Sequence, residues 1–537
     1  MVGPGAILRP MSYDVAIIGG GHNGLVCATF LARAGKRVVV LEARDIVGGF
    51  CTTEETVPEA PGFKMNPTSM DHVVTNIPRS VVDDLDLARF GLRWITPDPF
   101  YSYLPPEGPA ICFWRDYHRT VEEIRRLSRR DALRYDRFMV AMRDFWYTAA
   151  PYLQGHPKRV APGTILESLK RLAKTRKSLG TALRILMSSP GAVIEEWFTR
   201  EEVKAALGCY SVASMGSLDE PGSGIVLSVM AVMHEWGARR PVGGNGAFIA
   251  ALTAAATAAG VEIRTGAPVT EVLLDGPGGR ANGAVTLAGD TVRAGEIVAA
   301  VDPYTLLKKL VPARAVPEAV DDEIRGMGVL HNNISGFKGD VALARRPQLA
   351  RHRPNDALLG SVILIAPSID YVRRSVNATM RGELAEEIPL WISAPSVLDR
   401  TLVPAGSDGD SLYVYLPAVP YELRDGADWA GEKDKHLDRC LQIFEDYAPG
   451  TRESVIGATA TSPQDLMRFS PVHKGNLFHV DMTLSQFGPW RPTPSLAGYK
   501  MPIPGLWHTG AGAHPLATLN GWSGRTAARE ILRATKG

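Results

Sequence analysis

Cysteine is scarce in this chain. Five occur in 537 residues, Cys27, Cys51, Cys112, Cys209 and Cys440, with no C-x-x-C pair among them. That spacing excludes a disulfide framework and a zinc site, and it fits a reducing compartment. Charge of one sign is equally absent. Lys and Arg number 59 against 57 Asp and Glu, a net +2, so nothing global points to nucleic acid. No apolar run approaches the roughly 20 residues of a membrane span. The longest, Gly224 to Met233, is far too short. The opening MVGPGAILRP lacks the charged and apolar segments of a signal peptide. Aromatics at 7% neither demand nor exclude a long apolar tunnel. There is no internal repeat and no low-complexity tract. What these absences leave is a cytoplasmic globular protein, long enough for more than one domain.

What the chain does have is glycine in one telling arrangement, within YDVAIIGGGHNGLVCATFLARAGKRVVVLE, Tyr13 to Glu42. Val15 to Ile18 reads as a buried parallel strand. Gly19, Gly21 and Gly24 follow as G-x-G-x-x-G. A helix is expected from about Leu25 to Ala34, stopped by Gly35, and a second strand, Val38 to Leu41, ends in Glu42. Each part has a physical task. Gly19 permits the tight turn, Gly21 lets a pyrophosphate approach the backbone, and Gly24 lets helix and strand pack. Free N–H groups and the positive dipole end at the helix start attract phosphate. Glu42 can accept both ribose hydroxyls and disfavours a 2′-phosphate, so NADP is not expected here. A second glycine pair, Gly48-Gly49, follows in ARDIVGGFCTTEE and brings more backbone close to the pyrophosphate. Ala43, Arg44 and Thr52 complete the expected dinucleotide-binding set at this end.

Further along, a helix is expected over Arg79 to Phe90 and strand-like residues over Leu92 to Ile95. From about Thr120 the apolar spacing is helical, as it is again from Thr164 to Met187. That second stretch is basic, with Lys158, Arg159, Lys170, Arg171, Lys174, Arg176, Lys177 and Arg184 facing few acids. It reads either as a surface that docks on anionic lipid or as a solvated helical face. The solvated face is favoured, because no strong aromatic cluster accompanies the charges. At Pro241 the pattern changes to turn (Gly243-Gly244), helix (Ala247 to Ala259), strand (Val269 to Leu274) and a hairpin ending in Glu296 to Val301. Strands are expected at Ser361 to Ile365, Leu390 to Ile392 and Leu412 to Tyr415, with a helix from Lys433 to Tyr447. The last segment, PGLWHTGAGAHPLATLNGWSGRTAAREIL, reads as a strand (Leu506 to Thr509), a turn at Gly510 and Gly512, and a helix from near Leu519 to Arg533.

The glycine unit, the Gly48-Gly49 pair, the GGNGAF segment and PGLWHTGAGAHP together resemble the phytoene desaturase-like group of FAD oxidoreductases. The likeness is greatest to the branch of the carotenoid ketolases and pyridine nucleotide-disulfide oxidoreductase domain-containing protein 2. The resemblance implies an α/β fold: a glutathione reductase-type Rossmann FAD-binding domain (12–77, 241–303 and 471–537) with an inserted α+β substrate domain (78–240, helical, and 304–470). It implies Val269 against the adenine, and Gly510, Gly512 and Gly521 near the flavin with the terminal helix aimed at its pyrimidine edge. Cys51 would lie close to the flavin, and Trp522 either shapes the pocket or caps the core. Two departures stand out. Phe50 replaces an arginine that often follows the glycine pair, and Leu516, Ala517 and Thr518 follow Pro515 in place of several glycines.

The expected activity is a dehydrogenase or desaturase that takes a hydride from a largely apolar, isoprenoid- or carotenoid-like molecule. Oxygen or a quinone would accept the electrons, since no second glycine fingerprint serves a nicotinamide. Asp71, His72 and His514 are the candidates to move a proton. Three alternatives stay open: a flavin amine oxidase, an isomerase using reduced FAD, and a flavin-binding scaffold at a membrane.

Overall fold

The computed structural model describes residues 13–69, 81–276 and 278–535. Two seven-stranded sheets organise them. In the first, Tyr13–Ile18 lies between Val38–Leu41 and Thr291–Ala299, parallel to both. Glu262–Arg264 extends one edge, and Leu506–His508 pairs parallel to Thr291–Ala299 on the other. Three remote segments therefore share one sheet. The central strands are buried over almost their whole length, as continuous Val/Ile/Leu runs of a covered parallel sheet must be. Thr291–Ala299 is long enough to leave this sheet and run antiparallel to Ala281–Thr286, which pairs in turn with Val269–Leu274.

The helix after the first strand spans His22–Arg33, three residues earlier than the apolar pattern suggested. Its first turn is polar, so periodicity alone could not find it. It packs against Asn245–Ala258 and the terminal helix Trp522–Ala534. The terminal contact is close: Gly524 N donates to Asn23 Oδ1 at 3.3 Å, and a Cβ on Gly524 would sit 2.3 Å from the Asn23 carbonyl.

The second sheet runs Val455–Thr461, Ile334–Leu343, Asp410–Pro420, Leu390–Ser393, Val362–Ile365, Tyr101–Tyr103, Ile111–Phe113. Its last two strands were not expected in 78–240, where only Leu92 to Ile95 was read as strand-like; three-residue strands carry no alternation to detect. One face packs on Tyr117–Leu127, Arg129–Leu153, Glu201–Ser211 and Ile225–Trp236, the other on Trp429–Glu445. Ile334–Leu343 was not expected. Charged Lys338 and Asp340 interrupt it, yet all ten residues are buried. The two pair with each other, and Lys338 Nζ also bonds the Asn66 carbonyl at 3.1 Å and lies 3.6 Å from the Tyr413 ring centre. The expected helix over 79–90 is broken within the described residues, into Val81–Asp84 and a single turn at Leu87–Phe90, with Asp86 left-handed between them.

A clamp joins the elements near the seam. Asp481 accepts from the backbone of Leu330 at 2.7 Å and from His331 Nδ1 at 2.5 Å, while His331 Nε2 lies 3.2 Å from Glu220.

Candidate active site

A cavity of about 610 Å³ lies between the two sheets. Gly19, Glu42, Ala300 and Gly510 each follow a parallel strand of the first sheet, and all four line it. Ligands in open α/β sheets bind at this edge, outside the strands' carboxyl ends.

The glycines differ in what surrounds them. A Cβ on Gly24 would meet the Gly19 carbonyl at 2.3 Å, so Gly24 is needed for helix to reach strand. Gly21 has ordinary backbone angles, φ −68° and ψ 168°, and nothing within 4 Å of where a Cβ would stand. Its open side belongs to the cavity. Gly48 and Gly49 also line it, both at positive φ (131° and 59°). The helix at His22 begins with no side-chain cap, which leaves its first N–H groups available to an anion.

Glu42 is buried, and its carboxylate accepts from Gly20 N at 2.7 Å and Arg44 N at 2.9 Å. A carboxylate has about four acceptor sites, so roughly half its capacity remains for a ligand. Ala43, Pro268 and Val269 continue the wall beside it.

At the opposite end the cavity meets the second sheet. Tyr101, Trp391 and Tyr415 stand on one face of that sheet, and Tyr210, Val229 and Met233 come from the helices above. One cavity thus joins a glycine-lined end to an aromatic, apolar end.

Residues 17–78 match the NAD(P)-binding Rossmann-like domain, and residues 107–356 match the flavin containing amine oxidoreductase family. The chain is 31% identical to pyridine nucleotide-disulfide oxidoreductase domain-containing protein 2 of Rattus norvegicus, over 99% of this chain and 95% of that one. It is 26% identical to a lycopene-forming phytoene desaturase of Pseudescherichia vulneris, over 94% and 96%. It belongs to the phytoene desaturase-like family of FAD oxidoreductases. A solved putrescine oxidase variant shares the fold, with a TM-score of 0.62 at 16% identity over 97% of this chain and 99% of that one. This phytoene desaturase-like protein is accordingly an oxidoreductase whose cofactor is FAD.

The residues present fit that cofactor. The open side of Gly21 would admit a pyrophosphate, the uncapped helix start would offer it N–H groups, and Glu42 has acceptor capacity left for a ribose. Other expected residues stand elsewhere. Arg44 is off the wall: its guanidinium is paired with Glu54 at 3.0 Å and lies 5.5 Å from the Phe469 ring centre. Thr52 is buried and off the wall. Gly512 is packed against Pro303 and His479, and Gly521 is the left-handed residue before the terminal helix, against Val26 and Val81.

His514, a candidate to move a proton, stands off the cavity wall among the described residues. It is fully buried, with Nδ1 2.8 Å from the Gly488 carbonyl and its ring against Tyr152 and Tyr499. Burial lowers its pKa to about 4. Trp522 is core, in one cluster with Leu25 and Val81. Cys51 does line the cavity, but burial pushes its thiol up to about 12, which leaves it an uncharged packing group. Asp71 and His72 lie outside the described residues.

Two wall histidines went unread in the sequence. His22 occupies a variable position of the glycine fingerprint, and burial lowers it to about 4. His479 stands beside Gly510. Burial, reinforced by the charges of Arg491 and His22, lowers it to about 3, and its Nδ1 has no partner among the described residues. Both are neutral at pH 7. Behind His479 lies Arg491, which is 0% exposed. It donates to the carbonyls of Phe478, Val480, Asp481, Gln486 and Ala511 at 2.6 to 3.2 Å. It thereby fixes the wall segment that carries Phe478 and His479 against Ala511.

Proposed function

We propose that this chain is an FAD-dependent dehydrogenase or desaturase that takes a hydride from a largely apolar substrate. The observation that carries the reading is the continuity of one cavity from the glycine cradle to an apolar aromatic end with no charged side chain. We assign Gly19, Gly21 and the first N–H groups at His22 to the pyrophosphate, Glu42 to the ribose, and Val269 with Pro268 to the adenine. Ala43, Gly48, Gly49 and Gly510 complete the cradle in this reading. Bound FAD supplies the hydride acceptor. The chain's own residues orient the substrate and exclude water. His22 and His479, neutral on the wall, can hold hydrogen bonds but are poor bases with pKa values of about 4 and 3. The reading therefore gives neither a proton-abstracting role. Oxygen or a quinone is the proposed electron acceptor.

Anaerobic mixing of the FAD-loaded protein with candidate substrates tests this. Flavin bleaching by a neutral unsaturated compound is the expected result. Bleaching by amines alone would move the protein to the amine oxidases. Turnover only after prior reduction would make it an isomerase, and an unchanged flavin spectrum throughout would leave a scaffold.

A second reading concerns a membrane surface, and exposed apolar side chains favour it. Helix Pro162–Met187 exposes Ile165 (49%), Leu169 (56%), Leu183 (47%) and Met187 (66%). Ile165 and Leu183, like Leu169 and Met187, are separated by about five turns, so they share one stripe. Lys170, Lys174, Arg176 and Lys177 make no ion pair among the described residues, whereas Arg171 and Arg184 pair with Glu167 and Glu196. Aliphatic rather than aromatic side chains accompany the charge, which is why composition favoured a solvated face. No helix among the described residues is long and apolar enough to cross a membrane. We propose peripheral contact through this stripe. Co-sedimentation with anionic vesicles, lost on Lys170→Glu with Lys174→Glu and Lys177→Glu, is the expected outcome. Equal pelleting of both proteins would refute it.

A further inference from the structure

The far end of the cavity is built more tightly than a generic apolar pocket. Trp391 and Tyr415 are direct partners on neighbouring strands, and Tyr101 stands on the same face of the sheet two strands beyond Trp391. The rings interlock. Tyr101 is edge-on to Tyr210 at 5.3 Å and to Trp391 at 5.6 Å, and Trp391 is edge-on to Tyr415 at 6.1 Å. Tyr210 lies parallel to Trp391, at 6.3 Å and 15°. The Trp391 indole N–H is already used, on the Cys209 carbonyl at 3.2 Å. Four rings held by one another form a rigid wall with little freedom to adapt.

What stands behind that wall matters as much. Along the same strands Ile363, Ile392 and Val414 point to the opposite face, into a second core with Phe337, Trp429 and Leu437. A hydrogen-bonded sheet with a full core behind it cannot be threaded by a chain. The rings bound the cavity on the side of this sheet.

The chemistry of this end is equally definite. Among the described residues, Tyr101, Tyr210, Val229, Met233, Trp391 and Tyr415 at this end bring no carboxylate or cation, and the charged wall residues are Glu42 and Lys309. An ammonium group would meet ring faces without a described carboxylate to neutralise it, so a cation–π complex is the alternative occupant. The hydroxyls of Tyr210 and Tyr415 have no hydrogen-bond partner among the described residues, and both residues line the cavity.

We propose that this aromatic end is a recognition site for an uncharged, compact, unsaturated ring that carries one hydroxyl or carbonyl group. It rests on the dehydrogenase reading above. The ring packs on Trp391 and Tyr101, and its oxygen meets the phenols of Tyr210 and Tyr415. The sheet closes this side to a long linear polyene, while a cation held by ring faces alone is the competing occupant that the test below separates.

The test is equilibrium binding to the FAD-loaded protein, followed by tryptophan fluorescence and calorimetry. β-Ionone serves as the ring-bearing enone, pentylbenzene as its oxygen-free counterpart, phenyltrimethylammonium as the cation and squalene as the linear chain. β-Ionone is expected to bind, at least about tenfold tighter than phenyltrimethylammonium, with squalene not binding. Trp391→Leu should weaken β-ionone by about tenfold or more, as loss of a buried aromatic anchor does. Tyr210→Phe with Tyr415→Phe, a pair that keeps the rings and therefore the fold, should weaken β-ionone about fivefold and leave pentylbenzene unchanged. Equal affinity for the cation, squalene binding, or indifference of β-ionone to both variants would overturn the assignment. Flavin content measured on the same preparation separates this from the cofactor reading. A protein that never takes up FAD refutes the dehydrogenase, while binding at the rings is still read by fluorescence.

Discussion

Replacement of Glu42 is the sharpest test of where the adenosine half of FAD sits. The Glu42 carboxylate is only 7% exposed and already accepts two backbone N–H bonds, from Gly20 at 2.7 Å and Arg44 at 2.9 Å. Those bonds order the turn. The remaining acceptor sites are the ones we assign to the ribose. Hydrogen bonds to a charged group contribute about 1.5–3 kcal/mol each. Losing the ribose contacts in Glu42→Ala should thus cost about 3 kcal/mol, or roughly a hundredfold in FAD affinity. Glu42→Gln keeps one carbonyl acceptor and loses the charge, so about tenfold is expected. Titration of the apoprotein with FAD by flavin fluorescence measures both. FMN is the internal control. It lacks the adenosine half, so disruption of the turn weakens both flavins, whereas loss of the ribose contact weakens FAD alone. If FAD and FMN affinities fall by the same factor, Glu42 acts only through its loop and the ribose placement is wrong. If neither changes, the carboxylate has no part in binding.

The two flanking glycines should separate binding from folding. Gly21→Ala, with open space for its methyl and φ already at −68°, should leave the melting temperature of the apoprotein unchanged and abolish FAD uptake. Gly24→Ala, with its methyl 2.3 Å from the Gly19 carbonyl, should lower the apoprotein's melting temperature outright. Asp481 and Glu220 hold His331 protonated, with its pKa raised to about 10. A raised folded-state value means the clamp stabilises fully below about pH 6.5 and is lost as pH rises through about 10. The melting-temperature gap between wild type and His331→Gln should therefore close over that window, and a gap independent of pH would refute the linkage. Arg491→Lys supplies at most about three donors where a guanidinium serves five carbonyls. Each buried carbonyl left unpaired costs about 1–3 kcal/mol, so stability and flavin content should fall together in thermal melts of the purified protein.

The cofactor side was largely legible because its signals are local. Strand, glycine turn, helix and acid lie within thirty positions of one another, and turn chemistry dictates which residues can stand there. Where local rules gave out, the reading slipped. The helix start at His22 was hidden by its polar first turn, and Ile334–Leu343 by the Lys338 and Asp340 charges that neutralise each other inside. His514 illustrates a further limit. Its neighbourhood was read correctly as part of the glycine-turn segment, but side-chain direction is settled by tertiary packing. Tyr152, Tyr499 and the Gly488 carbonyl are what its ring meets instead of the cavity lining.

The aromatic end shows why its residues could not be read at all. Tyr101, Tyr210, Trp391 and Tyr415 come from three strands of one sheet and a helix packed on it, and no spacing relates them. Strand pairing makes them neighbours. The register sets Trp391 opposite Tyr415, and the pleat sends Ile392 and Val414 to the other face. A one-residue slip would exchange the rings for those aliphatic side chains and turn the wall over. Register is therefore what holds the ligand-facing chemistry in place, and it is held by burial on both faces of the sheet. Substituting a single ring changes the surface a ligand meets without touching Gly19, Gly21 or Glu42. Divergence in substrate under a constant cofactor follows from that separation, since the glycine cradle depends on turn geometry and the aromatic wall on sheet packing.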